Sequence, residues 1–132
     1  MALGMSKEST EASIFVLKRV LANTYVLLVK TQSYHWHVEG AHFNSFHLMF
    51  EQQYNQLSKA IDEIAERLRA LDSDALGTMH DYLRLSQLKE DLEPMSHNDL
   101  DLCESLANDH YTLVSDIRES MEKVEHFDDE AT

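Results

Sequence analysis

Four polar side chains on one otherwise apolar helix, His47, Glu51, Asp62 and Glu66, have the types and spacing of a metal site. They form two i,i+4 pairs, mirrored about a point between Gln56 and Leu57. At about 100° per residue their directions from His47 are roughly 0°, 40°, 60° and 100°, so all four share one face. Glu51 and Asp62 nonetheless stand about 16 Å apart along the axis at about 1.5 Å per residue, too far to hold one ion. The pairs meet only if a second copy of the helix lies antiparallel across a two-fold axis. His47 and Glu51 of one chain then face Glu66 and Asp62 of the other. The stretch proposes a metal site and a homodimer together.

A plainer alternative stands beside this one. Asp62 and Glu66 are like charges at i,i+4, which costs a helix a few tenths of a kcal/mol. Glu63 and Arg67 make the favourable pair, and Arg69 is within reach of Glu66, so a solvated salt-bridge face would also explain the run. His47 with Glu51 would then be a histidine hydrogen-bonded to a carboxylate. Convergence of all four under one symmetry operation favours the metal. Upstream, residues 34–47 hold half of the eight histidines. His35 and His37 are about 200° apart on a helix and cannot both chelate one ion. His35, at the end of its helix, can fold back beside His47, and the others read as hydrogen-bonded surface or interface groups.

The elements that must position these residues follow from periodicity. A first long helix is expected over about 10–38, with Ile14, Leu17, Leu21, Tyr25, Leu28 and Gln32 inward and Gly40 as its C′ stop. A second is expected over about 44–70, with Phe46, Phe50, Tyr54, Leu57, Ile61, Ile64 and Leu68 inward. A short helix over about 78–87 follows. Pro94 breaks the chain, Ser96 or Asn98 caps a third long helix to about 125, and Leu102, Leu106, Leu113, Ile117, Met121 and Val124 line it. Helices of nearly thirty residues belong to an extended bundle. The ending from Phe127 reads as a loop about to begin another helix.

Composition narrows the class. The 132 residues suffice for one domain with a modest core, and three glycines and one proline favour long helices. Cys103 is the single cysteine, which fits a reducing cytoplasm. The first ten residues lack the basic and apolar regions of a signal peptide, and the longest apolar stretch, 20–29, is interrupted and short of the roughly 20 residues that span a bilayer. The expectation is a soluble cytoplasmic protein. Residues 1–71 hold seven Lys/Arg against seven Asp/Glu; residues 72–132 hold four against seventeen and carry the whole net charge of −13. Such a half repels phosphate backbones and attracts cations, serving either as a solubilising surface or as a route for metal ions.

From Tyr34 to Leu71 the chain closely resembles the Dps proteins, the miniferritins of the ferritin-like superfamily. The resemblance is carried by His35-Trp36, then His47 twelve residues after His35, Glu51 four beyond, and Asp62-Glu63-Ile64-Ala65-Glu66-Arg67, with Gly40, Phe43 and Phe46 between. It implies an all-α ferritin-like helical bundle of long antiparallel helices, one domain over 1–132. It also implies a di-iron ferroxidase centre shared across a two-fold dimer interface, with His35, His47 and Glu51 from one chain and Asp62 and Glu66 from its mate. Imidazole with carboxylate suits Fe(II), and the carboxylates stabilise Fe(III). The implied activity is oxidation of Fe(II), by hydrogen peroxide or oxygen, with ferric mineral stored inside a hollow dodecamer as protection from oxidative stress. Trp36 would quench radicals or, as we favour, pack the dimer interface. Asp128 and Asp129 resemble the lining of an iron-entry pore, or sit in an exposed loop.

Two departures from the family pattern stand out. The first seventeen residues offer Lys7 and no other cation against Glu8 and Glu11, so DNA binding through a basic tail is not expected. The family's fourth helix has no counterpart in the expected elements, which bears on shell assembly but not on the ligand set. Two other readings stand beside it: a non-catalytic DNA-protecting or interaction protein that keeps the fold, and a fold-defective remnant that bears the ligands but cannot assemble.

Overall fold

The structure, a computed structural model, describes residues 6–91 and 95–131, the side chains of 126–131 excepted. Ser6 caps the first helix by accepting a bond from the Ser9 amide (3.0 Å), so α1 (Lys7–His37) begins earlier than its apolar periodicity suggests. It ends at Val38, whose amide donates to the Tyr34 carbonyl. Gly40 stands one place beyond the C′ position expected for it. After the turn comes α2 (Phe43–Ala70), then the short α3 (Met79–Leu85), capped by Thr78, and finally α4 (Asp99–Ala131). The Asn98 side chain accepts from the Leu100 and Asp101 amides at 3.1 and 3.3 Å and is the cap of α4.

The all-α ferritin-like bundle is thus as expected, with no strand among the described residues. The four helices, three long and one short in the connection between α2 and α4, are the elements that periodicity predicts. The supposed loop from Phe127 is corrected. No glycine or proline interrupts 99–131, so α4 continues to Ala131. The Asp128 and Asp129 side chains, Pro94 and the first five residues lie outside the described set.

Helix α1 is the axis of the fold and packs against each of the other three. At the hairpin end, Val26, Leu27, Tyr34 and Val38 meet Phe50 of α2 and Leu102 and Leu106 of α4. At the other end, Leu21 and Ala22 meet Leu68 and Tyr82. A helix enclosed on several sides is not described by one stripe. Leu28 and Gln32, expected inward, are only half-buried, whereas Leu27, Thr31 and Tyr34 are sealed. On α4, Met121 is 55 % exposed where a core position was expected.

Beyond those apolar contacts the seam between α1 and α4 is polar. Arg19 pairs with Asp116, Asn23 donates to Asp116, and the Lys30 ammonium lies 2.6 Å from Asp109. The α3–α4 connection runs back along the same side of α1. Asn23 Oδ1 accepts from the Ser86 hydroxyl (2.8 Å) and the Gln87 amide (2.7 Å), and Lys30 Nζ donates to the Lys89 carbonyl (3.0 Å). By length and mean hydropathy (1.6 over its most apolar window) α1 would suffice to cross a membrane, unlike the short interrupted apolar stretch over 20–29 counted from sequence. Its buried Asn23, Lys30 and Thr31 have partners in this bundle, the pattern of a core helix.

Candidate metal centre at the α1–α2 hairpin

A tight turn brings the two histidines together. Gly40 has φ +130, a conformation that side-chain-bearing residues rarely adopt, and a Cβ there would stand 2.7 Å from the Asp99 carboxylate. That carboxylate accepts the His42 amide at 2.8 Å and the Leu100 amide at 2.8 Å, and His42 Nδ1 lies 3.2 Å away. The His42 amide bond is the main reason Asp99 is held below the usual carboxylate pKa. The Glu39 amide donates to the His97 carbonyl (2.8 Å) and the Asp99 amide to the Glu39 carbonyl (2.9 Å). One buried aspartate therefore ties the starts of α2 and α4 to the end of α1.

This path sets His35, in the last turn of α1, beside His47, in the second turn of α2. Their rings stack with centroids 3.9 Å apart and planes at 16°. Nδ1 of His35 lies 2.7 Å from the His47 carbonyl oxygen, and Nδ1 of His47 lies 2.8 Å from the His35 carbonyl oxygen. A carbonyl only accepts, so each Nδ1 carries a proton, and in the neutral ring each Nε2 keeps its lone pair. Tyr54 meets His35 edge-on at 5.4 Å and Phe43 stacks on His47 at 5.2 Å, so both rings are fixed. His35 is buried and His47 half-buried. Two immobilised imidazoles with free Nε2 donors are the arrangement that metal-binding histidines have when their other nitrogen is hydrogen-bonded.

Glu51 follows His47 by one turn on the same face and is partly exposed. Asp62 and Glu66 stand on later turns of α2, exposed, and make no hydrogen bond or ion pair among the described residues. The salt-bridge alternative is not what the side chains do: Arg69 turns instead to the Ser73 carbonyl (3.2 Å) and Asp74 (3.1 Å). One chain therefore brings His35 and His47 together, sets Glu51 one turn further along α2 and leaves Asp62 and Glu66 apart. No group of three or more His, Cys, Asp or Glu among the described residues is placed to hold an ion within one chain. His37 points away from the centre, stacking on His97, and Trp36 is 64 % exposed.

What the sequence did not reveal is the support of the site. Asp99 and Gly40 depend on a contact between segments about 59 residues apart, with no local signature. Tyr34, sealed beneath His35, donates its hydroxyl to Asp91 and shares a bond with Ser105 (2.9 Å). Burial first, then Asp91, pushes its pKa well above the ordinary phenol value.

Known proteins place this arrangement. The ferritin-like domain family matches residues 15–132, so fold and hairpin define a ferritin-like protein. A low temperature-induced protein of Nostoc is 35 % identical over 98 % of this chain and 73 % of its own. DNA protection during starvation protein 2 of Bacillus anthracis is 32 % identical over 90 % of this chain and 80 % of its own. The crystal structure of the Dps protein of Vibrio cholerae, described as a member of the ferritin-like diiron-carboxylate superfamily, superposes with a TM-score of 0.87 at 27 % identity, covering 99 % of this chain and 81 % of that one. The chain belongs to the Dps family.

Proposed function

We propose that two copies of this chain pair across a two-fold axis and oxidise Fe(II), with His35, His47 and Glu51 of one copy and Asp62 and Glu66 of the other holding two ferrous ions as substrate. The observation that carries this reading is the mutual hold of His35 and His47. It holds the two imidazole rings face to face with each Nδ1 engaged, while Asp62 and Glu66 stand on the same helix without partners among the described residues. Nitrogen and carboxylate together suit Fe(II), and the hard carboxylate oxygens favour the ferric product. With hydrogen peroxide as oxidant, each Fe(II) gives one electron, peroxide takes both together with two protons, and water is formed. Pairing the electrons avoids release of a hydroxyl radical. The ferric product passes to mineral inside a hollow homododecamer, which makes the protein an iron store and an oxidative-stress protectant in the cytoplasm.

The test separates a shared site from an internal one. Asp62→Ala with Glu66→Ala should lower Fe(II)-dependent peroxide consumption by at least ten-fold, as should His47→Ala. When His47→Ala and Asp62→Ala chains are refolded together, a mixed dimer has one site with both lesions and one intact site. Random pairing then restores roughly a quarter of the sites. No recovery on mixing would sink the shared centre, and full activity of the Asp62/Glu66 variant would sink the ligand assignment.

A further inference from the structure

A second histidine pair lies outside that centre. His37, in the last turn of α1, and His97, just before α4, stack with ring centroids 5.1 Å apart and planes at 28°. Their segments are already joined by the two Glu39 backbone bonds, from the Glu39 amide to the His97 carbonyl (2.8 Å) and from the Asp99 amide to the Glu39 carbonyl (2.9 Å). Nδ1 of His37 lies 2.8 Å from the Ser33 carbonyl oxygen, which only accepts, so the proton of that ring is on Nδ1. Nδ1 of His97 faces the Glu39 carboxylate at 3.8 Å, which favours a proton there as well. In the neutral rings each Nε2 is then left with a lone pair. His37 is exposed, and the His97 side chain is 38 % exposed.

We propose that His37 and His97 form a separate surface site for one divalent transition-metal ion of the zinc, copper or nickel class, with water completing the coordination. Nitrogen bonds of about 2.0–2.1 Å to such an ion require the two Nε2 atoms to converge. From a 5.1 Å ring separation this requires the two side chains to rotate together, His37 giving up its Ser33 contact, between backbones that are already tied. Glu39 does not ligate; its carboxylate orients His97, the role a carboxylate commonly plays behind a metal-bound imidazole. A site of two imidazoles with no protein carboxylate ligand selects borderline cations over calcium or magnesium, with Cu(II) held most tightly in the series. Its ligands are distinct from His35, His47, Glu51, Asp62 and Glu66, so it fills independently of the iron centre.

Calorimetric titration of the iron-free full-length chain with Zn(II) or Cu(II) tests this. His37→Gln and His97→Gln should each remove one bound ion per chain, and the Asp62→Ala, Glu66→Ala variant should keep it. Glu39→Gln should weaken that ion severalfold without abolishing it. In a His47→Ala background, copper at this site should show hyperfine splitting from two imidazole nitrogens in its electron paramagnetic resonance spectrum, lost when His97→Gln is added. Unchanged stoichiometry in both histidine variants, with circular dichroism showing the helices intact, would overturn the proposal. Loss of Fe(II) oxidation in the Asp62/Glu66 variant has no bearing on it.

Discussion

At the residue scale the centre depends on which nitrogen of each imidazole carries the proton. Free imidazole side chains in water favour the Nε2–H form, which offers a metal the wrong nitrogen for this geometry. The reciprocal bonds from His35 Nδ1 to the His47 carbonyl and back reverse that preference at both positions. The helical period made His47, Glu51, Asp62 and Glu66 legible as one face, and the end position of His35 made its return legible too. The mutual bonds were not legible, because they depend on the path of five turn residues rather than on any residue type. Long-range nitrogen–proton correlation spectra of the iron-free protein above neutral pH should show His35 and His47 protonated on Nδ1. The Nε2–H pattern at either residue would mean that the Nε2 donors are not prepared.

At the element scale, the lengths of the helices were readable and the seams between them were not. Apolar spacing located α2 to within a residue of its bounds, since its single buried stripe faces α1. The inward faces of α1 and α4 were harder: beside apolar contacts at Leu102 and Leu106, they meet through Arg19, Asn23, Lys30, Asp109 and Asp116, charged and amide groups that periodicity assigns to solvent. The hairpin itself hangs on Gly40 and Asp99. An alanine at Gly40 meets both an unfavourable φ of +130 and the Asp99 carboxylate at 2.7 Å, backed by bonds to the His42 and Leu100 amides. Strain of this kind costs on the order of 1–3 kcal/mol. Gly40→Ala should therefore lower the unfolding midpoint and, because the start of α2 shifts against α1, weaken Fe(II) binding as well. Gly77 offers the control, since a Cβ there meets nothing within 4 Å; Gly77→Ala should leave Fe(II) binding unchanged. Equal iron affinity in wild type and Gly40→Ala would show that the latch does not position the histidines.

At the scale of the whole molecule, the single chain leaves surface that its own helices do not explain. Trp36 is 64 % exposed, Phe43 46 % and Leu48 49 %, all close in sequence to His35 and His47. The sequence suggested pairing through mirror symmetry on α2, and these exposed side chains near the α1–α2 hairpin offer that pairing apolar area to bury. Charge acts in the other direction: a net −13 makes copies of the chain repel at long range and opposes a DNA partner, so association must rely on short-range apolar contact and strengthen with salt. Because Trp36 is the sole tryptophan, its emission reports on that contact without added labels. Under the proposed two-fold pairing it leaves water when copies associate. Emission should shift to shorter wavelength as protein concentration or ionic strength rises, in step with mass measured by sedimentation, and Trp36→Ala should weaken association more than Tyr111→Ala, whose ring is 76 % exposed on α4. Emission that stays at the solvent-exposed wavelength while the mass increases would place the association on another face, and the His35–Glu66 pairing across the two-fold axis would then have to be abandoned.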